Sequence, residues 1–335
     1  MSKIFLRTVI LGGFLFFGFN IVFSQDTIKN EKHTYVRWVS QFPSVKKEKQ
    51  EFSKRISKVI FGKEPLFLKK PFNVIAKNPN DFWILDQGRG GIVHIKKSSA
   101  EIPRFILKEL EGFTSLVGVS SIDDGKILIT DSHLDNVYLI DLLKKKIIPL
   151  NEALILKRPT GIAYSKITDE IWVVETGSHS ICVLNREGEI LKRIGQRGKG
   201  PGEFNFPTFI WIDKLGNAYI VDSMNFRIQI FNKQGEFVTT FGQIGDASGY
   251  FSRPKGIATD SFGNIYVADA LFHVVQIFDK SGRFLYRFGQ QGNGKSEFWM
   301  PTGIFIDEKN YIYVADSYNS RVQVFQLVTS EKGEK

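Results

Sequence analysis

Three of the five histidines and six regularly spaced acids are the side chains whose positions first suggest metal binding or proton transfer. The histidines are His133, His179 and His273, and three imidazoles are enough to hold a zinc ion. The acids recur along the chain at Asp86, Asp131, Glu175, Asp222, Asp269 and Asp316. Either chemistry requires several of these side chains to meet at one point, so the elements that carry them must be considered first.

The six acids mark an internal repeat. Successive acids are 45, 44, 47, 47 and 47 residues apart, and each ends a short apolar segment such as Gly263-Asn-Ile-Tyr-Val-Ala-Asp269. Four strand-like segments fill each repeat, separated by turns such as Asp260-Ser-Phe-Gly-Asn264, where glycine allows a positive φ. Repeats of this length with four strands are typical of propeller blades. The sequence therefore predicts an all-β, six-bladed β-propeller with four-stranded antiparallel blades.

The last three repeats carry a more specific pattern. Pro301-Thr-Gly-Ile, Tyr313-Val-Ala-Asp-Ser-Tyr-Asn319 and Arg321-Val-Gln-Val-Phe325 resemble the NHL repeat, a family of six-bladed propellers. The first two repeats match less well, because they lack the Gly-Ile pair and the Arg-Ile-Gln strand. The resemblance implies the propeller fold for the whole repeated region.

Two activities are known among NHL propellers, and neither carries over well. Peptidylamidoglycolate lyases hold zinc through histidines that follow the proline opening a blade. The residues that follow those prolines here are Phe72, Thr160, Thr208, Lys255 and Thr302. NHL propellers of tripartite-motif proteins bind RNA through a basic face, but the export signal described next argues against nucleic acid. We expect no metal and no cofactor.

The N-terminal segment has the composition of an export signal. Lys3 and Arg7 precede an uncharged, Phe-rich run at residues 8–23, and the small residue Ser24 suits a cleavage site. We expect residues 1–24 to be a signal peptide and the protein to be periplasmic, cell-surface or secreted. An uncleaved membrane anchor is the alternative, and only then would the protein associate with a membrane.

The two ends of the repeated region are expected to close the ring together. The sixth repeat ends after its third strand, and an open ring would expose strand edges. Residues 57–62 resemble residues 285–289, so we predict that the chain near 56–61 supplies the missing strand. This places a polar linker or short helix at 25–55, the propeller at 56–327 and a charged tail at 328–335.

Most conspicuous side chains have an architectural explanation. Acids that recur in every blade are expected to cap turns by accepting backbone N–H bonds. Polar side chains at Asn225, Arg227, Asn319 and Arg321 could face a ligand, with pairing to acids between blades as the alternative. The histidines fall in three different blades, which favours separate surface or packing roles over one zinc site.

One departure from the repeat could mark a binding site. Phe209 and Trp211 stand where other blades have glycine and alanine. Aromatic rings near an axial mouth could stack on a sugar or another flat ligand, and filling an uneven core is the alternative. Trp299, just before Pro301, carries the same ambiguity.

Charge and motifs together favour binding over catalysis. The formal net charge is +10, and behind an export signal a basic surface favours acidic envelope molecules over nucleic acid. We therefore expect a monomeric, non-catalytic module that recognises a protein, peptide or anionic glycan through propeller loops. The alternative is a metal-dependent lyase or hydrolase at the channel mouth.

Overall fold

The computed structural model describes residues 32–43, 68–96, 104–105, 113–144, 146–153 and 155–331. They divide into two compact units. The larger unit is Arg37–Gln326, and the described residues of the smaller unit are 32–36 and 327–331. In the smaller unit the hydroxyl oxygens of Thr34 and Thr329 lie 3.4 Å apart. The residues assigned to a signal peptide, 1–24, lie outside the described residues.

The strands pair into six four-stranded sheets, which are the blades. The first strand among the described residues, β1 (Lys32–Phe42), belongs to the sixth blade. Blade 1 contains β2 (Pro71–Asn78), β3 (Asp81–Asp86), β4 (Gly91–Lys96) and β5 (Arg104–Phe105). Blade 2 contains β6 (Leu116–Asp123), β7 (Lys126–Asp131), β8 (Asn136–Asp141) and β9 (Lys146–Pro149). Blade 3 contains β10 (Pro159–Ser165), β11 (Glu170–Glu175), β12 (Ser180–Leu184) and β13 (Ile190–Ile194).

The second half of the propeller is built in the same way. Blade 4 contains β14 (Pro207–Ile212), β15 (Ala218–Asp222), β16 (Arg227–Phe231) and β17 (Phe237–Phe241). Blade 5 contains β18 (Pro254–Thr259), β19 (Ile265–Asp269), β20 (Val274–Phe278) and β21 (Phe284–Phe288). Blade 6 contains β22 (Pro301–Ile306), β23 (Tyr311–Asp316), β24 (Arg321–Glu331) and β1. The predicted all-β, six-bladed propeller is confirmed.

The first strand of each blade lies closest to the propeller axis. Each of these strands contacts the first strand of the next blade, and β22 contacts β2, which closes the ring. Glycine permits this approach: a Cβ atom on Gly256 would lie 2.5 Å from the carbonyl oxygen of Thr302, and one on Gly161 would lie 2.8 Å from that of Thr208. The inner strands therefore pack backbone against backbone around a narrow axis.

The apolar core lies between neighbouring blades. One cluster joins Trp172 and Val174 of blade 3 to Ile220 and Phe231 of blade 4. A similar cluster joins blades 4 and 5 around the fully buried Phe251. Each blade buries one face on the blade before it and one on the blade after it, as expected for strands rich in β-branched and aromatic residues.

The ring is closed by an N-terminal strand, and the structure corrects the segment that forms it. Sheet order in blade 6 is β1-β24-β23-β22, so residues 32–42 hold the outer position. Residues 56–61, which the sequence predicts for this place, lie outside the described residues. The indole N–H of Trp38 donates to Gln323 Oε1 at 3.1 Å, and Val39 and Phe42 pack on the core beside blade 6.

The predicted boundaries need two corrections. The linker or short helix predicted at 25–55 contains β1, because its β-branched and aromatic residues at 34–39 outweigh the polar composition around them. The charged tail predicted at 328–335 is shortened, because β24 runs to Glu331. No helix in the described part of the chain is long and apolar enough to cross a membrane.

Candidate functional site

The register of the strands defines two faces of the propeller. In every blade the first residue of the first strand pairs with the acid that ends the second strand, as in Pro254 with Asp269 and Pro301 with Asp316. All six acids and the chain entering each blade therefore lie at one end, which we call the upper face. The turns that join the first and second strands lie at the other end, the lower face.

The six acids are buried and bonded within the protein. Asp86 accepts the backbone N–H groups of Lys69 and Lys70 at 2.7 and 2.8 Å. In blade 5, Asp269 does the same for Ser252 and Arg253 at 2.8 and 3.0 Å. The relative exposures of the acids do not exceed 1%. Each carboxylate thus ties the end of the second strand to the chain that enters its own blade.

Blades 4 and 6 add an arginine to this arrangement. Arg321 Nε donates to Asp316 at 2.7 Å, and its other N–H groups reach Gln41 Oε1 and the carbonyl oxygens of Asn293, Gly294 and Glu297. In blade 4, Arg227 bonds to Asp222 and to three carbonyl oxygens of the preceding loop. The arginines pair with the acid of their own blade, whereas the sequence predicted pairing between blades.

The two asparagines support the same loops. Asn225 Nδ2 donates to the carbonyl oxygen of Gly198 at 2.9 Å and to Asp222. Asn319 Nδ2 donates to the carbonyl oxygen of Gly292 at 2.8 Å and to Asp316. These contacts favour the architectural explanation of the asparagines and arginines, and a role for them in ligand binding stays a prediction.

The histidines remain in separate blades. His179 Nδ1 accepts the backbone N–H of Phe206, and His273 Nδ1 accepts that of Met300, both at 3.1 Å. Each histidine thus holds the backbone of the residue that precedes the first strand of the next blade. His133 is exposed on blade 2. Within the described ranges, no three His, Cys, Asp or Glu side chains form a group that could hold a metal ion.

Aromatic side chains fill the axis. Phe72 of blade 1 and Phe209 of blade 4 stack with ring centroids 5.7 Å apart and 27° between their planes. Those blades stand opposite each other in a ring of six, so the stack crosses the axis. Trp211 packs edge-on against Phe305, with centroids 5.4 Å apart, and its indole N–H donates to Thr259 Oγ1 at 2.9 Å. This arrangement favours core filling for Phe209 and Trp211 over an open aromatic pocket.

Basic residues lie at the upper ends of the inner strands of blades 1 and 5, a feature that the sequence prediction missed. Lys255 is the second residue of β18 and is half-buried, while Arg253 and Lys70 are exposed beside it. Burial, followed by the charges of Arg253 and Lys70, lowers the pKa of the Lys255 ammonium to about 8. The sequence signal for this feature is Lys255, which occupies the position where blades 3, 4 and 6 have threonine.

The rim of the upper face carries exposed apolar side chains. Trp299 and Tyr318 of blade 6 are 49% and 58% exposed, and their ring centroids lie 6.3 Å apart with 30° between the planes. Other exposed apolar residues of this face are Leu134, Phe206, Met224 and Leu271. The lower face exposes Ile167, Leu215 and Phe262 at its turns. The stacked aromatic pair thus belongs to the upper face.

Known structures resemble this propeller. A protein of unknown function from Bacteroides thetaiotaomicron has 14% identity and a TM-score of 0.63, covering 79% of this chain and 71% of that one. An auxiliary nutrient binding protein from the same species has 15% identity and a TM-score of 0.62, covering 78% and 70%. A catalytically inactive virginiamycin B lyase from Staphylococcus aureus, with quinupristin, has 17% identity and a TM-score of 0.56, covering 79% and 99%. At these identities the likeness shows the fold alone.

Sequence families give a more direct result. No curated protein matches the chain. A beta-propeller repeat model matches residues 241–268, and the model of the DUF5128 family, described as a 6-bladed beta-propeller, matches residues 111–224 and 260–335. These matches support the propeller that the NHL resemblance implies and do not confirm the NHL family itself. Because the DUF5128 match spans more than half of the sequence, the chain belongs to this family of six-bladed propellers.

Proposed function

We propose that the protein is a non-catalytic binding module of the cell envelope that recognises a glycan, peptide or protein through the loops of its upper face. The observation that carries this proposal is the exposed stack of Trp299 and Tyr318. Half-exposed aromatic rings bury a large apolar area against a sugar ring or a peptide side chain at little conformational cost. The export-like composition of residues 1–24 supports the proposed location.

The backbone under this aromatic pair is held in place. The backbone N–H of Trp299 donates to Asp316 Oδ1 at 2.7 Å, and that of Tyr318 donates to the carbonyl oxygen of Trp299 at 3.1 Å. Asp316 is fixed in turn by Arg321. A binding surface on a fixed backbone loses less entropy when its ligand arrives, so this support favours recognition.

The side chains suited to catalysis are engaged elsewhere. The upper-face acids accept backbone N–H bonds and are buried, and His179 and His273 accept backbone N–H bonds of the following blades. The shared fold of an auxiliary nutrient binding protein supports a binding role. The fold is also that of virginiamycin B lyase, so a lyase or hydrolase at the channel mouth is the alternative to test.

The test is binding of the purified protein to glycan and peptide arrays. We expect defined probes to bind the natural protein and to lose roughly tenfold or more in affinity with Trp299→Ala or Tyr318→Ala. Phe262→Ala is the matched control, because Phe262 is an aromatic residue of the lower face that is 63% exposed. It should bind the same probes as the natural protein.

Three outcomes would contradict the proposal. Absence of any bound glycan or peptide probe would contradict recognition of a glycan or a peptide. Loss of binding in Phe262→Ala but not in Trp299→Ala would place recognition on the lower face. Cleavage of a bound probe, followed by mass spectrometry, would favour the enzyme alternative.

A further inference from the structure

Three successive blades carry a large apolar side chain at the same position of the upper face. This position is two residues after the acid, where blades 4, 5 and 6 have Met224, Leu271 and Tyr318. These residues are 54%, 49% and 58% exposed. The inner strands of these blades contact each other in order, β14 with β18 and β18 with β22, so the three side chains follow one another around the ring. Together with Trp299, which stacks beside Tyr318, we call them the apolar rim.

The other half of the ring differs at this position. Blade 1 has Gly88 there, blade 2 has His133 and blade 3 has Gly177. The glycines leave little room for a side chain: a Cβ atom on Gly88 would lie 2.6 Å from Cβ of Lys69, and one on Gly177 would lie 3.0 Å from the carbonyl oxygen of Lys157. Large apolar side chains at this position are thus confined to blades 4–6. Exposed apolar residues that gather on one side of a protein are typical of an interaction site.

The polar side chains beneath the apolar rim are bonded within the protein. In each of the three blades, side chains of the third strand donate to carbonyl oxygens of the loop that enters the blade; these side chains are Arg227, Gln229, Gln276, Arg321 and Gln323. A sugar needs hydrogen-bond partners for its hydroxyl groups, whereas an apolar peptide side chain needs none. Met224 and Leu271 also offer no flat ring on which a sugar could stack. The apolar rim therefore suits a peptide better than a glycan.

The loops beside the apolar rim are basic. The chain enters blades 4, 5 and 6 through residues 195–206, 242–253 and 289–300, and the exposed charged side chains of these loops are Arg197, Lys199, Asp246, Arg253 and Lys295. Four cations therefore stand against one exposed acid. The other two acids of the loops, Glu203 and Glu297, are half-buried and each accepts a backbone N–H group of its own loop. This surface complements a ligand that carries carboxylates as well as apolar side chains.

We propose that the apolar rim binds an extended peptide segment of a partner protein, one that carries both apolar and acidic side chains. An extended chain places alternate side chains on one side, so its apolar groups can cover Met224, Leu271 and the stacked aromatic pair while its carboxylates approach the cations of the loops. Methionine suits such a surface because its flexible side chain adapts to different partners. This inference rests on the proposed binding function and deepens it by naming the ligand class.

The direct test is an array of random-sequence peptides of equal length, whose strongest binders are then titrated by fluorescence polarisation. We expect the bound peptides to contain more apolar and more acidic residues than the array as a whole. Met224→Ala and Leu271→Ala should each weaken their binding roughly fivefold or more. Leu215→Ala is the matched control, because Leu215 is a leucine of blade 4 that is 74% exposed on the lower face. It should bind the same peptides as the natural protein does.

Charge reversal tests the acidic preference separately. The double variant Lys199→Glu/Arg253→Glu should bind the acidic peptides roughly tenfold more weakly, and it should bind more tightly the same peptides with lysine in place of each acid. The matched control is Lys233→Glu/Lys280→Glu, which makes the same change of net charge. Lys233 and Lys280 are exposed lysines of the same two blades, on the turns between the third and fourth strands. This control should leave the preference for acidic peptides unchanged.

Two results would overturn the peptide site. One is equal peptide affinity in the natural protein, Met224→Ala and Leu271→Ala, and the other is an acidic preference that both double variants leave unchanged. If glycan probes bind through Trp299 while no peptide binds, the peptide site is wrong and the proposed binding function stands. If neither glycans nor peptides bind, the proposed recognition of these ligands is itself wrong, and the peptide site is wrong with it.

Discussion

In blade 6 the carboxylate of Asp316 is surrounded by side chains, whereas in blade 2 the carboxylate of Asp131 bonds, among the described residues, to backbone N–H groups alone. Asp316 accepts from Arg321, Gln323 and Asn319 as well as from the backbone N–H of Trp299. Asp131 accepts backbone N–H groups at residues 115, 133 and 134. Each of the two blades nevertheless forms a sheet in which the acid pairs with the first residue of the first strand.

This difference separates what the blade requires from what the upper face requires. A carboxylate that accepts backbone N–H bonds is enough to end the second strand. The additional side chains of blade 6 bond to the carbonyl oxygens of residues 292, 293, 294 and 297, in the loop that leads to Trp299. Blade 4 repeats this arrangement around Asp222, in the loop that leads to Phe206. The reinforced loops are those that carry exposed aromatic residues.

Blade 5 lacks the arginine that blades 4 and 6 have beside the acid. Val274 stands at the position of the arginine, and Asp269 accepts backbone N–H groups instead. Two basic residues of this blade, Arg253 and Lys255, lie at the upper end of its inner strand. An arginine thus pairs with the acid of its own blade in blades 3, 4 and 6, whereas in blade 5 the acid is bonded to backbone N–H groups and basic residues lie at the start of the inner strand.

The largest effect should come from removing the acid of blade 6. Asp316→Ala leaves the buried Arg321 without its counter-charge, and we expect the free energy of unfolding to fall by about 3–5 kcal/mol. Asp131→Ala removes an acceptor of backbone N–H groups only and should cost about 1–3 kcal/mol. Urea denaturation of both variants measures the difference. Equal losses would mean that the side-chain network adds nothing to the backbone cap.

The next effect concerns the arginine itself. Arg321→Met leaves a buried carboxylate and several carbonyl oxygens without a donor, so we expect a loss of about 3 kcal/mol. Arg193→Met is its control, because Arg193 bonds to Glu175 at 2.8 Å from a more exposed position in blade 3 and should cost less than about 1 kcal/mol. Hydrogen exchange should also become faster at residues 292–298 in Arg321→Met. Unchanged exchange there would contradict the role assigned to the loop.

A smaller effect of opposite sign is expected in blade 5. The pKa of Lys255 is lowered to about 8 in the folded protein from 10.5 when unperturbed, so its protonation disfavours folding below pH 8. This penalty declines as the pH rises from 8 to 10.5 and is absent above that range. Lys255→Met should therefore raise the free energy of unfolding at pH 7 by about 1 kcal/mol.

That gain should vanish near pH 10.5, which thermal or urea denaturation across the pH range can follow. Lys280→Met should show no gain at any pH. A gain in Lys255→Met that persists at high pH would instead indicate better packing of the methionine.

The smallest effect should come from the exposed aromatic pair. Trp299→Ala removes a side chain that is half in solvent, so we expect the free energy of unfolding to change by less than about 0.5 kcal/mol. Thermal denaturation provides the measurement. A large loss of stability would show that the Trp299 side chain supports the fold. Weaker ligand binding by Trp299→Ala could then not be assigned to the loss of a ligand contact.

The sequence is most informative where the fold repeats. The spacing of the acids and the Asp-x-x-Gly-Asn turns predict blades because each blade needs a strand end and a tight hairpin at the same places. Closure by an N-terminal strand also follows from the incomplete sixth repeat. The closing segment itself was misplaced, because residues 57–62 resemble another blade's fourth strand more closely than Tyr35-Val-Arg-Trp-Val39 does.

The candidate site is harder to predict because its residues come from distant repeats. Phe209 is conspicuous in the sequence, but nothing local indicates that Phe72 of the opposite blade stacks on it. The charge of Lys70 in blade 1 likewise helps to lower the pKa of Lys255 in blade 5, although the two residues belong to distant repeats. Local patterns determine blades, whereas contacts across the axis depend on how many blades the ring contains.

The strand β1 has a consequence for the order in which the protein folds. Trp38 of β1 bonds to Gln323 of the neighbouring strand β24, and these two residues are 285 positions apart in the chain. Contacts between such distant residues form late, because the long segment between them must lose conformational entropy before the contacts can stabilise the fold. We expect the early blades to fold first and β1 to remain unpaired until β24 is in place. The first strand that the structure describes is then the last to join its sheet.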